Sequence, residues 1–514
     1  MAGLIKMGRR AMRLAEAGQH DEAVSLWEQM NRHQPDHAGL GIGLGAALLA
    51  AKRVGEAERW LAKCVQLHPE NKELAILLGR ALAMRRQHKQ ALGAFYHALS
   101  LDPDHTAAHG HLASSLFADR QSAAALPHAL KACEGDLSEF HMSTYLCALL
   151  DLNECERSLT FIEEVMARST LDPIKLRMYR AAALQALGRF DEGLIEAREA
   201  ARLAPADHGA RHHYAAALLA NGEMTAEAWD NYEGRTGLME MSKWPVPEYL
   251  WTGQDVSGRT VIVHAEQGLG DTLQFIRYVP MLAALGATVV VVVQTPLIAL
   301  LQGTPGAERV IGAGTLPRFD YYCPLLSLPG RFGTTLDSIP SPIPYAVPLP
   351  PRSDAPRLQV GLVWAGGDAF IEDRKRSLPP EAIGGFSTIA GVDFHSLQFG
   401  AEKLPFPEMR DAMQGVTDFV GTACRVAELD LVIAVDTSVA HLAATMGKPV
   451  WLLDRFNGCW RWLLDRADSP WYPTVRIFRQ PNADNWAEVL AEVHVALSLA
   501  ASNYQDAMAL ALAA

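Results

Sequence analysis

The 514-residue sequence has no polybasic run, no apolar stretch long enough to cross a bilayer and no closely spaced cysteine pair. Each absence removes a class of function. A net charge of -12 with dispersed basic residues leaves no electrostatic footprint for nucleic acid or for an anionic membrane surface. The longest apolar runs, "ATVVVVV" and "LDLVIAV", are strand-sized, whereas a spanning helix takes about 20 residues. Seven cysteines, an odd number with no CxxC spacing, read as buried reduced thiols. The N-terminal "MAGLIKMGRRAMRLAEAGQHDEA" lacks an apolar core followed by a small-residue cleavage site, so the expectation is a cytoplasmic protein. What is abundant is apolar: 49% of residues, ample for about three domains.

Two grammars divide the chain. In the first, Pro35, Pro69 and Pro103 recur every 34 residues, and Pro205 falls three further periods on. Ala23, Ala57, Ala91 and Ala125 keep the same step, as do Leu14, Leu48, Leu82 and Leu116, while Gly45 and Gly79 share a phase that Ala113 continues. Small residues at fixed phase let paired helices approach closely, and proline ends the second helix of each pair. Residues 1–235 therefore resemble an array of tetratricopeptide repeats. The stretch 137–173 departs from the pattern, and a degenerate or distorted repeat is expected there.

Beyond about Gly258 the pattern becomes β/α alternation, with strands expected at 261–264, 287–293, 359–364, 394–398 and 431–435. A proline-rich bridge, "IPSPIPYAVPLPPRSDAP", divides this part into two Rossmann-like lobes and reads as an extended hinge. The link "SKWPVPEYLWTG" carries aromatics expected to pack against the last repeat helices. The expected architecture is an N-terminal α-solenoid (1–235), a linker (236–258), a first lobe (259–345), a second lobe (346–500) and a tail (501–514) that is a final amphipathic helix or a frayed end.

Four segments could carry chemistry. In "VIVHAEQGLGDTLQFIRY" a strand ends in the turn Gly268-Leu269-Gly270-Asp271 and enters a helix, presenting backbone N–H groups at the strand's carboxyl edge. Asp271 fits equally well as an N-cap, with Gln274 three residues on in a capping-box arrangement. In "LDLVIAVDTSVAHLAATMGKPV" a buried strand ends at Asp436; Thr437 and Ser438 open a helix, and His441, one turn in, can point back to the same edge. Hydroxyls, N–H groups and an imidazole there would suit a diphosphate, although a Thr-capped helix with a satisfied histidine explains them too. In "VWAGGDAFIEDRKRSLP" Arg374, Lys375 and Arg376 follow a strand and could neutralise a leaving diphosphate, or simply be a solvated loop. Last, Trp460, Trp462, Trp471 and Tyr472, with Arg461 among them, read either as a wall for a nucleobase or sugar or as core packing.

Taken in order, "EQGLGDTLQFIRY", "VGLVWAGG…DRKRSLP" and "VDTSVAHLAATMGKPVW" resemble bacterial heptosyltransferase-type enzymes, which are GT-B glycosyltransferases. With the fused repeats, the whole chain looks like the tetratricopeptide-repeat glycosyltransferases of bacteria, including flagellin-modifying ones. The resemblance implies that Asp271 is the catalytic base and that Gly268 and Gly270 lie at the donor. It further implies that Asp436, Thr437, Ser438 and His441 contact the nucleotide-diphosphate part of the donor, and that Arg376, with Lys375 as the alternative, contacts phosphate. The sequence departs from the pattern at Gly367, where a polar residue is common, and at "SLQFG", where a basic residue would follow SLQ.

The activity so implied is inverting transfer from a nucleotide-activated sugar, the co-substrate, to a hydroxyl of a protein cradled in the repeat groove, with no cofactor. No Asp-x-Asp cluster stands at a strand end of the first lobe, so the sequence asks for no catalytic metal. The rivals are a glycan- or lipid-directed enzyme and a repeat scaffold that keeps a nucleotide-sugar module without catalysis. Homo-oligomerisation is left open.

Overall fold

The structure is a computed structural model that describes residues 2–168, 172–238, 247–352, 355–367 and 373–513. The chain forms two compact units that divide between Tyr179 and Arg180, inside the repeat region rather than at its end.

The first unit is a succession of antiparallel helix pairs. Helices Ala38–Ala50, Lys72–Met84 and Thr106–Ala118 open successive pairs at the expected step. The in-phase alanines Ala23, Ala57, Ala91 and Ala125 are all fully buried, as are Ala91, Phe95 and Ala98 on one face of the helix His88–Leu101. A Cβ on Gly79 would stand 2.5 Å from the Phe95 ring, which is why only glycine or a comparably small residue serves that phase. The turn between paired helices requires a left-handed residue, and Lys52, Arg86 and Arg120 supply it at φ of 57°, 61° and 62°.

Among its described residues the stretch 137–173 is degenerate in phase rather than distorted in its helices. Its helices Glu139–Asp151 and Cys155–Arg168 are 13 and 14 residues long, like their neighbours. They start one residue early, and the left-handed turn residue moves with them to Asn153. The phase is restored by helix Pro173–Ala186, which is one residue longer than the equivalent Thr106–Ala118. A one-residue slip is thus the form that the expected departure takes. The usual proline is absent from the turn before it, and there the Ser138 hydroxyl caps the helix while His141 Nδ1 bonds to the Asp136 carbonyl at 2.8 Å.

In the second unit the repeat helices continue through α1 (His208–Ala220), α2 (Ala226–Tyr232) and the short α3 (Arg235–Leu238). The α/β part follows with strands β1 (Thr260–His264), β2 (Thr288–Val293), β3 (Ala307–Gly312) and β4 (Tyr321–Pro324), which form one parallel sheet in the order β3-β2-β1-β4. Strands β5 (Leu358–Val363), β6 (Val392–Ser396), β7 (Arg410–Asp411), β8 (Leu431–Val435), β9 (Val450–Asp454) and β10 (Val475–Arg479) form a second parallel sheet, ordered β10-β9-β8-β5-β6-β7. That is the Rossmann order, which reverses between β5 and β8; the first sheet reverses between β1 and β4. Three helices open beyond the carboxyl ends of the strands that flank these reversals: α4 (Leu269–Phe275) after β1, α5 (Asp373–Arg376) after β5 and α6 (Ser438–Thr445) after β8. The closing helix Trp486–Ala513 packs Val489, Val493, Leu497 and Ala501 on the second sheet and runs through the segment expected as a tail.

The last repeat helices belong to the core of the α/β part. Tyr214, Trp229 and Tyr232 share one buried apolar cluster with Val261, Phe275, Trp460 and Trp471. Trp229 Nε1 donates to the Thr334 carbonyl at 2.7 Å. Arg235, 1% exposed, donates to Glu266 at 2.7 Å, Glu233 at 2.9 Å and Ser327 at 2.7 Å. In the link before the first sheet, Trp251 joins the buried cluster that holds Tyr214, Trp229 and Tyr232 and packs on Phe332, while Leu250 bridges to Tyr322 of β4. The earlier part of that link, 241–246, lies outside the described residues.

A fragment starting at residue 236 removes Trp229, Tyr232 and Arg235 from this core and leaves Glu266 buried without its cation, a change that costs about 3–5 kcal/mol for the ion pair alone. Such a fragment is expected not to fold, whereas one starting at residue 180 is expected to melt cooperatively. Near-UV circular dichroism and thermal melts check this, and a folded 236–514 fragment would contradict it.

Candidate functional site

Ligands of open parallel sheets bind beyond the carboxyl ends of the strands, where the strand order reverses. The sequence puts its motifs at both reversal points. The segment after β1 carries Gly268, Gly270 and Asp271, and the segments after β5 and β8 carry Arg376 and Asp436 to His441.

The Asp271 side chain closes the first turn of α4, but not in the way its sequence context suggests. Gly268 is the N-cap, and Asp271 lies three residues in, where its Oδ2 accepts from the Gly268 N–H at 2.9 Å. Asp271 thus provides the returning half of a capping box. Gln274, the expected partner in that motif, is fully buried instead, with no hydrogen bond to its amide. The other Asp271 oxygen, Oδ1, is 2.5 Å from Nη2 of Arg461, whose side chain is only 8% exposed.

Around the second reversal point, Thr437 is the N-cap of α6, yet its hydroxyl makes no cap bond and is buried without a partner. Ser438 is the first helical residue. Arg376 donates from Nη1 to the Asp436 carbonyl at 2.7 Å and from Nε to Asp373 at 2.9 Å, so the end of β5 is tied to the end of β8. Asp373, itself 4% exposed, also accepts from Ser377, whose Oγ in turn accepts from the Gly366 N–H at 2.8 Å. Lys375 is half-buried beside it. In "SLQFG" the position after SLQ is the exposed Phe399, while the Gln398 Oε1 accepts from the backbone N–H groups of Trp364 and Ala365 at 3.2 and 3.0 Å, bracing the loop after β5. Residues 368–372 lie outside the described residues.

His441 joins the two reversal points. A Cβ on Gly270 would stand 2.7 Å from its Cδ2 and 3.5 Å from the Ser438 Cα, so the absent side chain lets the N-terminus of α4 rest directly on α6. Nδ1 of His441 bonds to the Tyr472 hydroxyl at 3.0 Å, the ring stacks on Trp462 at 5.1 Å, and Nε2 lies 3.7 Å from Asp436 Oδ1. Burial pushes this imidazole down to about 3, against the pull of the Asp271 carboxylate, so it is neutral at ordinary pH. Trp460, Trp462, Trp471 and Tyr472 are all buried, and their packing is that of a core. Arg277, 2% exposed, reaches the Pro340 and Trp471 carbonyls at 3.0 and 2.8 Å and crosses from the first lobe to the proline bridge and the second lobe.

Sequence reasoning gave Arg235 no role and set Arg461 only among the aromatics, whereas both are buried, Arg461 against Asp271 and Arg235 against Glu266. A signal for Arg461 was present: a guanidinium inside the apolar run "CWRWLL" must find an anion if that run is buried. Arg235 stands in no such run. Its partner Glu266 precedes the glycine turn, and burial raises the Glu266 carboxyl while Arg235 pulls it down. Among the described residues no three His, Cys, Asp or Glu side chains gather as a metal site, and no helix is long and apolar enough to cross a membrane.

Comparison with known proteins identifies the repeats. The tetratricopeptide repeat family matches residues 14–80. Over 540 aligned positions the chain is 25% identical to protein FlbA of Caulobacter vibrioides, covering 95% of this chain and 88% of that one. An alignment of that reach takes in the repeats and both sheets, so FlbA is similar in both parts. Among solved structures, a tetratricopeptide repeat protein from Parabacteroides merdae aligns at 13% identity and a TM-score of 0.40, covering 47% of this chain and 95% of that one. A thermophilic repeat protein from Thermus thermophilus aligns at 19% identity and a TM-score of 0.28, covering 42% of this chain and 99% of that one.

Two outcomes are expected from this geometry. Gly270→Ala must push α4 off α6, and overpacking of that kind costs about 1–3 kcal/mol; an unchanged urea midpoint would contradict it. His441 binds its proton far more weakly in the folded chain than in the unfolded one. Its contribution is therefore full above the unfolded value near 6.5 and is lost as pH falls from there toward 3, by up to about 1.4 kcal/mol per pH unit. Urea midpoints at pH 7.5 and 5 should accordingly fall less for His441→Gln than for wild type.

Proposed function

We propose that the chain is a two-lobed glycosyltransferase of the GT-B kind, moving a sugar from a nucleotide-sugar donor to a hydroxyl of a protein acceptor, flagellin being the first candidate. The observation that carries this reading is the direct seating of Gly270, the neighbour of Asp271 at one reversal point, on Ser438 and His441 at the other, where His441 lies 3.7 Å from Asp436. A Rossmann-ordered sheet suits a nucleotide at its reversal point. There the first N–H groups of α6, the unpartnered Thr437 hydroxyl and Arg376 supply donors for a diphosphate.

In the reaction the acceptor oxygen attacks the anomeric carbon from the face opposite the diphosphate. The bond from that carbon to the phosphate oxygen breaks, and the nucleoside diphosphate leaves with the electron pair. The hydroxyl proton passes to Asp271, and Arg376 with the helix N-terminus meets the charge that develops on the leaving group. Inversion at the sugar carbon follows from the single displacement. The repeats suit the acceptor, since stacked helix pairs offer an extended surface to a polypeptide.

A second reading has one observation in its favour: Asp271 is already held by Arg461 and by the Gly268 N–H. A chain that binds the donor and holds this carboxylate permanently would be a scaffold without catalysis.

Intact-mass spectrometry of purified flagellin incubated with the protein and a panel of nucleotide sugars separates the two readings. Transfer is expected for wild type, and a drop of about 10²–10⁴-fold for Asp271→Asn. Transfer by Asp271→Asn at the wild-type rate would remove it as the base, and nucleotide binding without transfer to any abundant protein would favour the scaffold.

A further inference from the structure

Arg461 is buried with donors to spare. A guanidinium has five N–H groups, and here Nη2 meets Asp271 at 2.5 Å while Nη1 meets only the weakly accepting Cys459 sulfur at 3.2 Å. Its Nε is buried and has no hydrogen-bond partner. The cation is clamped by the faces of Trp460, 4.6 Å away, and Phe275, 5.5 Å away, so it is positioned rather than loosely solvated. Burying such a group with unmade bonds costs stability unless a further anion completes it.

Its place in the fold says which anion. Arg461 follows β9 at the carboxyl edge of the second sheet, the edge that also carries Thr437, Ser438 and Arg376. A chain of contacts links them: Arg461 meets Asp271 at 2.5 Å, a Cβ on the neighbouring Gly270 would stand 2.7 Å from His441, His441 lies 3.7 Å from Asp436, and Arg376 donates to the Asp436 carbonyl at 2.7 Å. The Thr437 hydroxyl at that edge likewise lacks a partner. With Arg376 already paired to Asp373, the bare Nε of Arg461, the partnerless Thr437 hydroxyl and the helix N-terminus form a donor set that the Asp271 carboxylate leaves partly unanswered.

We propose that Arg461 is an exchange residue: without donor it pairs with Asp271, and with donor it transfers its guanidinium to the diphosphate and releases Asp271 to act as base. This rests on the nucleotide-sugar reading above. Asp271 would keep its bond from Gly268, which holds its position, while losing the cation that occupies its other oxygen. Donor binding thereby arms the base. An acceptor hydroxyl or a stray water arriving before the donor would meet a carboxylate already engaged.

The exchange has a sign that a structural ion pair lacks. If Asp271 competes with the diphosphate for Arg461, removing the charge of Asp271 must tighten nucleotide binding. Titration calorimetry of the full chain with UDP, GDP, CDP, ADP and dTDP selects the tightest of these, and the variants are then compared on it. Asp271→Asn should bind about 3–10-fold more tightly and Arg461→Gln about 10-fold or more weakly. The double variant should match Arg461→Gln alone. Arg461→Lys, which keeps the charge but loses the fork, should fall between and serves if Arg461→Gln does not fold; Asp271→Ser serves in the same way for Asp271→Asn. Unchanged or weaker binding by a folded Asp271→Asn overturns the exchange while leaving the nucleotide-sugar reading intact. Failure of wild type to bind any of the five at millimolar concentration overturns both.

Discussion

Gly270 has no side chain, and His441 occupies the place where one would be. That single close approach fixes the geometry of everything around it. It sets the N-terminus of α4, at the reversal point of one sheet, on the N-terminus of α6, at the reversal point of the other. Two helix N-termini facing one another concentrate unpaired backbone N–H groups and partial positive charge in one place. Acidic groups then collect there for a physical reason: Asp271 and Asp436 are both partly buried at this junction. The buried arginines Arg461 and Arg277 and the partly buried Arg376 all act on the same imidazole, and burial keeps that imidazole neutral.

The repeats are bound into this arrangement by charge as well as by apolar contact. Arg235 lies on the last repeat segment and Glu266 immediately before the glycine turn, and each is the other's main compensation for burial. Tyr232 carries the contact onward: its ring packs on Trp460 at 5.5 Å, Trp460 lies under Arg461, and Arg461 reaches Asp271. The end of the array is therefore part of the support of the candidate site. The division of the chain at Tyr179 and Arg180 expresses the same fact at the level of the fold.

The sequence made the repeated elements legible because repetition is redundant. A 34-residue period with four in-phase series reveals helix pairs, and its slip at Glu139 was legible as a departure from the pattern, though not as a shift of one residue. Strands buried on both faces, such as β2 and β8, announced themselves as apolar runs. Strand β3 did not, since at the sheet edge it buries only Val310 fully, nor did β4, only four residues long and ending in proline. The glycine turn and the Asp436–His441 segment were legible as motifs, but their contact was not, because it depends on how two sheets pack. The capping role of Asp271 was seen but assigned to the wrong position in the helix. Partners such as Arg461 and Arg235 were beyond sequence reasoning, which shows that a charge is buried but not which anion answers it.

The central claim is that these two reversal points form one binding site for a nucleoside diphosphate. A crystal structure of the full chain with the tightest-binding nucleoside diphosphate tests it most directly. The account requires the diphosphate between the carboxyl ends of β5 and β8, on the N-terminus of α6 and within hydrogen-bond reach of Arg376. A nucleotide bound anywhere else, with that edge empty, would contradict it.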